Sequence, residues 1–231
     1  MAKSVSIIKL RGTVDGLTFV RSRTYGDHVR TKRGTYKEAE VNDTLKQEIK
    51  NLISANVPAK IFKDAIDPYR GELMGGQLWQ RLLSMFRKQL KEHGAFDFSK
   101  LPQFEIHTGY PFQRFLDVQP FIKSGKKKSV LDIRIAYDHH PGFTKTKYID
   151  GYRLTVLGIF PDLKKKNAKT ASVTSKTLEL TGTLSPLITQ LIVPFKATCY
   201  IICVKIEGCT QGVVSSTRTT QGMSVVGAGQ I

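Results

Sequence analysis

The chain has 231 residues, 40% hydrophobic and 24% charged, an ordinary balance for a globular protein with room for one large domain or two small ones. Its 36 Lys and Arg against 19 Asp and Glu leave a net charge of +17. That field favours polyanions: nucleic acid, an anionic membrane surface or an acidic partner protein. No segment approaches the ~20 apolar residues that cross a bilayer, and the short apolar run after Met1-Ala2-Lys3-Ser4 is broken by Lys9 and Arg11, unlike a signal peptide. The expectation is a soluble protein of the cytoplasm or of a virion.

The first elements form a basic ribbon. Ile7 to Val14 reads as a strand, Asp15-Gly16 as a two-residue turn and Leu17 to Arg23 as a second strand, because Asp-Gly accepts the positive φ angles of tight hairpins. A second turn at Tyr25-Gly26-Asp27 leads to a third strand, His28 to Arg33. Lys9, Arg11, Arg21, Arg23, Arg30, Lys32 and Arg33 make this meander the candidate polyanion-binding element. It has too few apolar residues to be stable alone. Leu78, Leu82 and Phe86 further on offer a bed for Ile8, Leu10 and Phe19, which would leave the arginines outward.

Helical periodicity follows. Val41, Leu45, Ile49, Leu52 and Ile53 recur at the spacing of one helix face between Glu38 and Val57. Pro58 suits the first turn of another helix carrying Ile61, Phe62 and Ile66, which stops at Asp67-Pro68. Gln77 to His93 is the strongest pattern, with Leu78, Leu82, Leu83, Phe86 and Leu90 on one face and Gly94 as its terminator. Arg81, Arg87, Lys88 and Lys91 fill the remainder, either as a phosphate grip or as a solvated surface. Met74, Trp79 and Met85 are packing residues for the ribbon or the first helix.

From about residue 95 strands take over. Ala95 to Pro102 reads as a linker that packs through its aromatics. Leu131, Ile133, Ile135 and Tyr137 alternate with polar neighbours, and Tyr152 to Phe160 is apolar on both faces, the mark of a central strand. Further strands are expected near Val173–Leu180, Leu187–Val193, Ala197–Ile206, Val213–Thr217 and Met223–Val226. The predicted class is α+β: a small N-terminal antiparallel β-meander packed on helices, then an antiparallel, Ig-like β-sandwich. The domains would be 1–95, ribbon plus helices, and 96–231, the sandwich. Lysine runs at 126–128 and 164–166 fall in loops, as electrostatic contacts or as protection for strand edges.

Chemistry finds little purchase. Asp138-His139-His140-Pro141 is the best catalytic-looking cluster, but adjacent residues on an extended chain point to opposite faces, and the run suits a turn. Cys199 and Cys203 share a strand face about 13 Å apart, too far for a disulfide, so Cys199, Cys203 and Cys209 read as buried free thiols. Gly71 to Gly76 lacks the Lys-Ser/Thr ending of a phosphate-binding loop. No catalytic residue, metal ligand or cofactor is expected, and the chain is read as not an enzyme.

The run Lys9-Leu10-Arg11-Gly12-Thr13-Val14-Asp15-Gly16-Leu17-Thr18-Phe19, with Gly26 and Arg30 after it, resembles the opening of an uncharacterised protein family of Bacteroidota. The likeness covers roughly the first third of the chain. It departs at Val20-Arg21-Ser22-Arg23, where a lysine-glycine turn would be usual. The resemblance carries no activity and no functional residues; it implies a non-enzymatic role. Two functions are open on the sequence. One is a structural or assembly protein, such as a virion or mobile-element component, that contacts nucleic acid or an acidic partner and forms a homo-oligomer or larger assembly. The other is a sandwich adaptor for a protein partner, with incidental charge.

Overall fold

The computed structural model describes residues 2–3, 12–22, 26–31, 42–75, 77–125, 129–143 and 148–231. Residues group into two compact units, Met1–Lys46 and Gln47–Ile231.

In the first unit, β1 (Ala2–Lys3), β2 (Gly12–Val14), β3 (Leu17–Ser22) and β4 (Gly26–Thr31) form an antiparallel sheet of order β1-β4-β3-β2. Asp15 and Gly16 sit at φ 44° and 77°, the two left-handed positions of the turn whose twist matches a hairpin. No residue of this unit whose side chain is described is buried; Phe19, Val20 and Val29 are only half-buried.

The second unit is built on an antiparallel central sheet. The strands β7 (Gly151–Asp162) and β11 (Cys199–Thr210) lie side by side, with β8 (Asn167–Thr174) on the outer edge of β7 and β13 (Gln221–Gln230) on the outer edge of β11. The short strands β9 (Leu178–Glu179) and β12 (Val213–Val214) prolong those two edges. A second antiparallel sheet has β6 (Val130–Ala136) between β5 (Gln119–Ser124) and β10 (Leu187–Ile192).

Side-chain alternation in β7 and β11 then builds two cores. Tyr152, Leu154, Val156 and Phe160 of β7, with Ile202, Val204 and Ile206 of β11, bury against Leu131, Ile133 and Ile135 of β6 and Leu191 of β10. Leu157 and Ile159, with Ile201, Cys203, Met223 and Val225, point the other way and bury against two helices. Gly158 lets the sheets approach, since a Cβ there would lie 2.7 Å from Leu191 Cδ1. The double-sided apolar pattern of Tyr152 to Phe160 thus marks the strand with a layer on each face.

Those helices are α1 (Asp43–Arg70) and α2 (Leu78–His93). α2 follows its expectation: Leu78, Leu82 and Phe86 are buried, and Gly94, at φ 67°, donates its N–H to the Leu90 carbonyl. α1 does not. The expected break at Pro58 and stop at Asp67-Pro68 are absent, and one helix runs through both prolines. An interior proline costs ~3 kcal/mol, but Ala55, Pro58, Ala59, Phe62 and Ile66 form a continuous buried stripe whose several large side chains are each worth ~1.5–3 kcal/mol. Burial outweighs the lost hydrogen bond. The stripe starts only at Ala55; Leu45, Ile49, Leu52 and Ile53, expected as the buried face, are exposed.

Leu78, Leu82 and Phe86 belong to a buried cluster with Phe62, Phe98 and strand residues of the second unit. Ile8 and Leu10 lie outside the described residues. Phe104 and Ile106 belong to no strand; instead Gln103 and Ile106 donate to the Val225 and Met223 carbonyls, and Val225 donates to Phe104. β5 has no clear signal in the sequence, since Pro120 and Lys123 interrupt its pattern. The described fold is mixed helix and strand with three antiparallel sheets and no closed barrel; an Ig-like sandwich is not confirmed.

Candidate polyanion interface

Of the seven ribbon cations, Arg21 and Arg30 are described; Lys9, Arg11, Arg23, Lys32 and Arg33 lie outside the described residues, as do Lys126, Lys127 and Lys128. The ladder places Arg21 opposite Asp27 and Arg30 opposite Thr18. Cross-strand partners share a face and neighbours along a strand alternate. Arg21 therefore shares the face of Phe19 and Val29, and Arg30 the opposite face with Thr18, Val20 and His28. Both are exposed. The described pair is thus divided between two faces, and Arg21 meets a carboxylate-bearing residue across the strand.

Cations on α2 are engaged within the second unit. Arg87 Nη2 and Lys91 Nζ lie 2.9 and 3.4 Å from the Glu48 carboxylate on α1, and their hydrogen bonds hold that carboxyl below its ordinary range. Lys88 lies 3.8 Å from Glu92, and the Arg81 guanidinium sits 4.5 Å from the centre of the Phe104 ring. These cations of α2 are thus each paired within the unit. Lys164, Lys165 and Lys166 occupy the turn between β7 and β8, where Asp162 Oδ1 accepts the N–H groups of Lys164 and Lys165 at 3.0 Å. All three are exposed, so this turn presents a compact group of cations.

A deeper polar cluster escaped sequence reasoning. Arg70, 4% exposed, closes the end of α1: Nη1 donates to Asp67 Oδ1 at 2.9 Å, and Nη2 to the Leu73 and Gly75 carbonyls at 3.0 Å each. Burial raises the Asp67 carboxyl, but hydrogen bonds from Lys63 and Arg70 outweigh it and leave the pKa lowered. Lys205 is buried on the helix-facing side of β11 and pairs with Glu207. Gly71 lies against both Lys205 and Gln221, for a Cβ there would be 3.3 Å from Lys205 Nζ and 3.7 Å from Gln221 Oε1. Near by, burial and the charges of Arg218, Arg70 and Arg81 lower the His107 pKa, which keeps the ring neutral at pH 7. Glu105 accepts the Phe112 N–H at 2.7 Å, and burial raises its pKa. The sequence held one signal for this cluster, a lysine inside the apolar run Ile201 to Ile206. Arg70 and Gln221 carry none, because their partners, Asp67, Leu73 and Gly75 for the one and the Ser215 carbonyl for the other, come within reach only through the local turn of the backbone.

The histidine cluster stays divided. His139 Nδ1 donates to Asp138 at 2.8 Å in an exposed bend, whereas His140 Nε2 donates to the Gly182 carbonyl at 3.1 Å. Among the described residues no three His, Cys, Asp or Glu side chains are grouped to hold a metal ion. Cys199, Cys203 and Cys209 are free. Burial pushes all three thiols up, away from the reactive thiolate. No helix among the described residues is long and apolar enough to cross a membrane.

Compared with protein-family models, curated proteins and solved structures, the chain matches none.

Proposed function

We propose that this is a non-enzymatic structural or assembly protein whose basic surface contacts nucleic acid or an acidic partner, as a component of a virion or mobile element would. The net charge of +17 carries the reading: a surplus of that size attracts polyanions at a distance set by ionic strength. Exposed Arg21, Arg30 and Lys164–Lys166 support it. The likeness of Lys9 to Phe19 to an uncharacterised Bacteroidota family fits the same role. Binding of duplex DNA, single-stranded RNA and a polyglutamate peptide, measured against salt, tests the reading. Affinity should fall steeply as salt rises, by a log–log slope of about −0.9 per phosphate neutralised on duplex DNA. A protein that ignores all three at low salt refutes it.

A second reading, an Ig-like sandwich adaptor with incidental charge, is favoured by one observation: Phe121, Ile188, Ile192 and Phe195 are exposed around one sheet. It requires partner capture to survive charge reversal at Arg21, Arg30 and Lys164–Lys166, whereas the first reading requires such variants to lose the polyanion.

A further inference from the structure

We infer that β10 is a self-association edge, where a second copy of this chain pairs with it antiparallel. The proposal deepens the assembly half of the function above and does not rest on the polyanion half.

An unpaired sheet edge is a template for another strand, and folded proteins ordinarily blunt it with charge, proline or a covering segment. Three edges of the second unit carry such devices. β13 is overlaid by Gln103–Ile106 through hydrogen bonds of 2.7–3.0 Å. β8 holds Lys169 next to the Lys164–Lys166 turn, and β5 holds Pro120 and Lys123. β10 has no charge and no proline between Leu187 and Ile192, and Pro186 and Pro194 stand just outside it. Among the described residues its only ladder is with β6, and β8 passes near it without pairing. Its side chains alternate as a half-buried strand should, with Leu191 in the core, but the outward positions are Ile188, 71% exposed, and Ile192, 76% exposed, with Phe195 beyond them at 86%. Phe121 lies on the same face two strands away, with the exposed Arg134 between it and Ile188. An apolar group of this kind on an unpaired edge marks an interaction surface.

Charge identifies the occupant. Between Glu179 and Lys196 the chain has no charged residue, although the whole chain is 24% charged. Two copies at +17 repel one another over most of their surface, and this is a stretch where they meet without like charges opposed. An acidic protein or a nucleic acid would find no cation on the strand. Sequence symmetry agrees. Antiparallel pairing centred on Gln190 sets Ile188 opposite Ile192 of the second copy, twice, and Gln190 opposite itself. This register has the parity that keeps outward side chains outward in both copies, and its two-fold axis makes the contact isologous and closed. The product is one continuous sheet of order β5-β6-β10 followed by its mirror order in the second copy.

Sedimentation velocity of the full chain over a wide concentration range, with Ile188→Lys and Ile192→Glu variants alone and mixed, tests the pairing. The natural chain should reach twice its 25.9 kDa. Each variant alone should remain a monomer where the natural chain is a dimer, with an unchanged melting curve because both side chains are exposed. Their mixture should recover a heterodimer, since the introduced lysine then faces the introduced glutamate across one pair and the natural Ile192 faces the natural Ile188 across the other. A natural chain that stays monomeric, variants that still dimerise, or a mixture that does not recover overturns the proposal. So does a monomer that takes a foreign strand on β10. Polyanion binding on the same samples separates the two claims: its absence with the dimer intact refutes only the proposed function, and its persistence in monomeric variants is expected.

Discussion

The two units meet the same physical requirement with different resources. In Gln47–Ile231, alternation along β7 and β11 feeds one core on each face of the sheet, so residues of either parity have a buried destination. In Met1–Lys46 the four-stranded sheet has well-formed ladders and a favourable Asp15-Gly16 turn, yet none of the residues whose side chains are described is buried. Hydrogen-bonded strands alone give little net stability, because water satisfies the same groups in the unfolded chain. The contrast teaches that local turn chemistry is enough to shape a ribbon and that burial is what makes a domain.

The largest expected effect is on opening. Amides of β7 and β11 should exchange with solvent at least about a hundredfold more slowly than those of β3 and β4, because only the former require loss of a packed core. Equal protection, read by native-state hydrogen exchange, would erase the distinction between the units. Truncation should divide them the same way. Phe86→Ala should lower the unfolding free energy by ~3–5 kcal/mol, since Phe86 is fully buried and makes edge contacts with Phe96 and Phe98 at 5.9 and 5.7 Å. Half-buried Phe19→Ala should change the main denaturant transition by less than ~1 kcal/mol.

Arg70→Met sharpens the account of the second unit. It removes donors from Asp67 and two carbonyls, and should cost ~2–3 kcal/mol by urea denaturation. The same variant should alter acid sensitivity. A lowered Asp67 pKa gives stability that is complete above the unfolded value near 3.9 and is lost as pH falls through the folded value. Without Arg70 that loss should be smaller and should be complete at a higher pH, because the folded value moves up towards the unfolded one. The lowered His107 pKa acts at milder acidity: the unfolded ring takes up its proton first, so stability should decline as pH falls from about 6.5 towards the folded value. His107→Gln should flatten that part of the melting-temperature profile. The smallest effect is at the surface, where Lys88→Ala should stay within ~0.5 kcal/mol of the natural chain, because both partners of its ion pair are exposed.

How much was legible depended on whether a residue's partner was near in sequence. The Asp15-Gly16 hairpin, α2 with its Gly94 stop, and the central position of Tyr152 to Phe160 could all be read, since a turn, a cap and a periodicity are properties of consecutive residues. Pro58 misleads because its cost is local while its compensation, the buried stripe from Ala55 to Ile66, is tertiary. The ribbon cations were legible as charge but not as a surface: strand parity divides Arg21 from Arg30, and that parity depended on where the ladder with β4 fell. The Arg70 cluster was illegible for another reason: its hydrogen bonds reach only Asp67, Leu73 and Gly75, but they depend on how the backbone turns at the end of α1.

The sequence by itself determined the basic surplus, the strand-and-helix content, the free thiols and the tight hairpin. Each follows from composition or from neighbours along the chain. Only the tertiary structure decided which face of each helix is buried, that one sheet is covered by helices on one side and by a second sheet on the other, and that β10 ends as an uncharged edge. Those outcomes depend on which distant segments come to lie beside one another, and long-range packing, not local preference, fixes that choice.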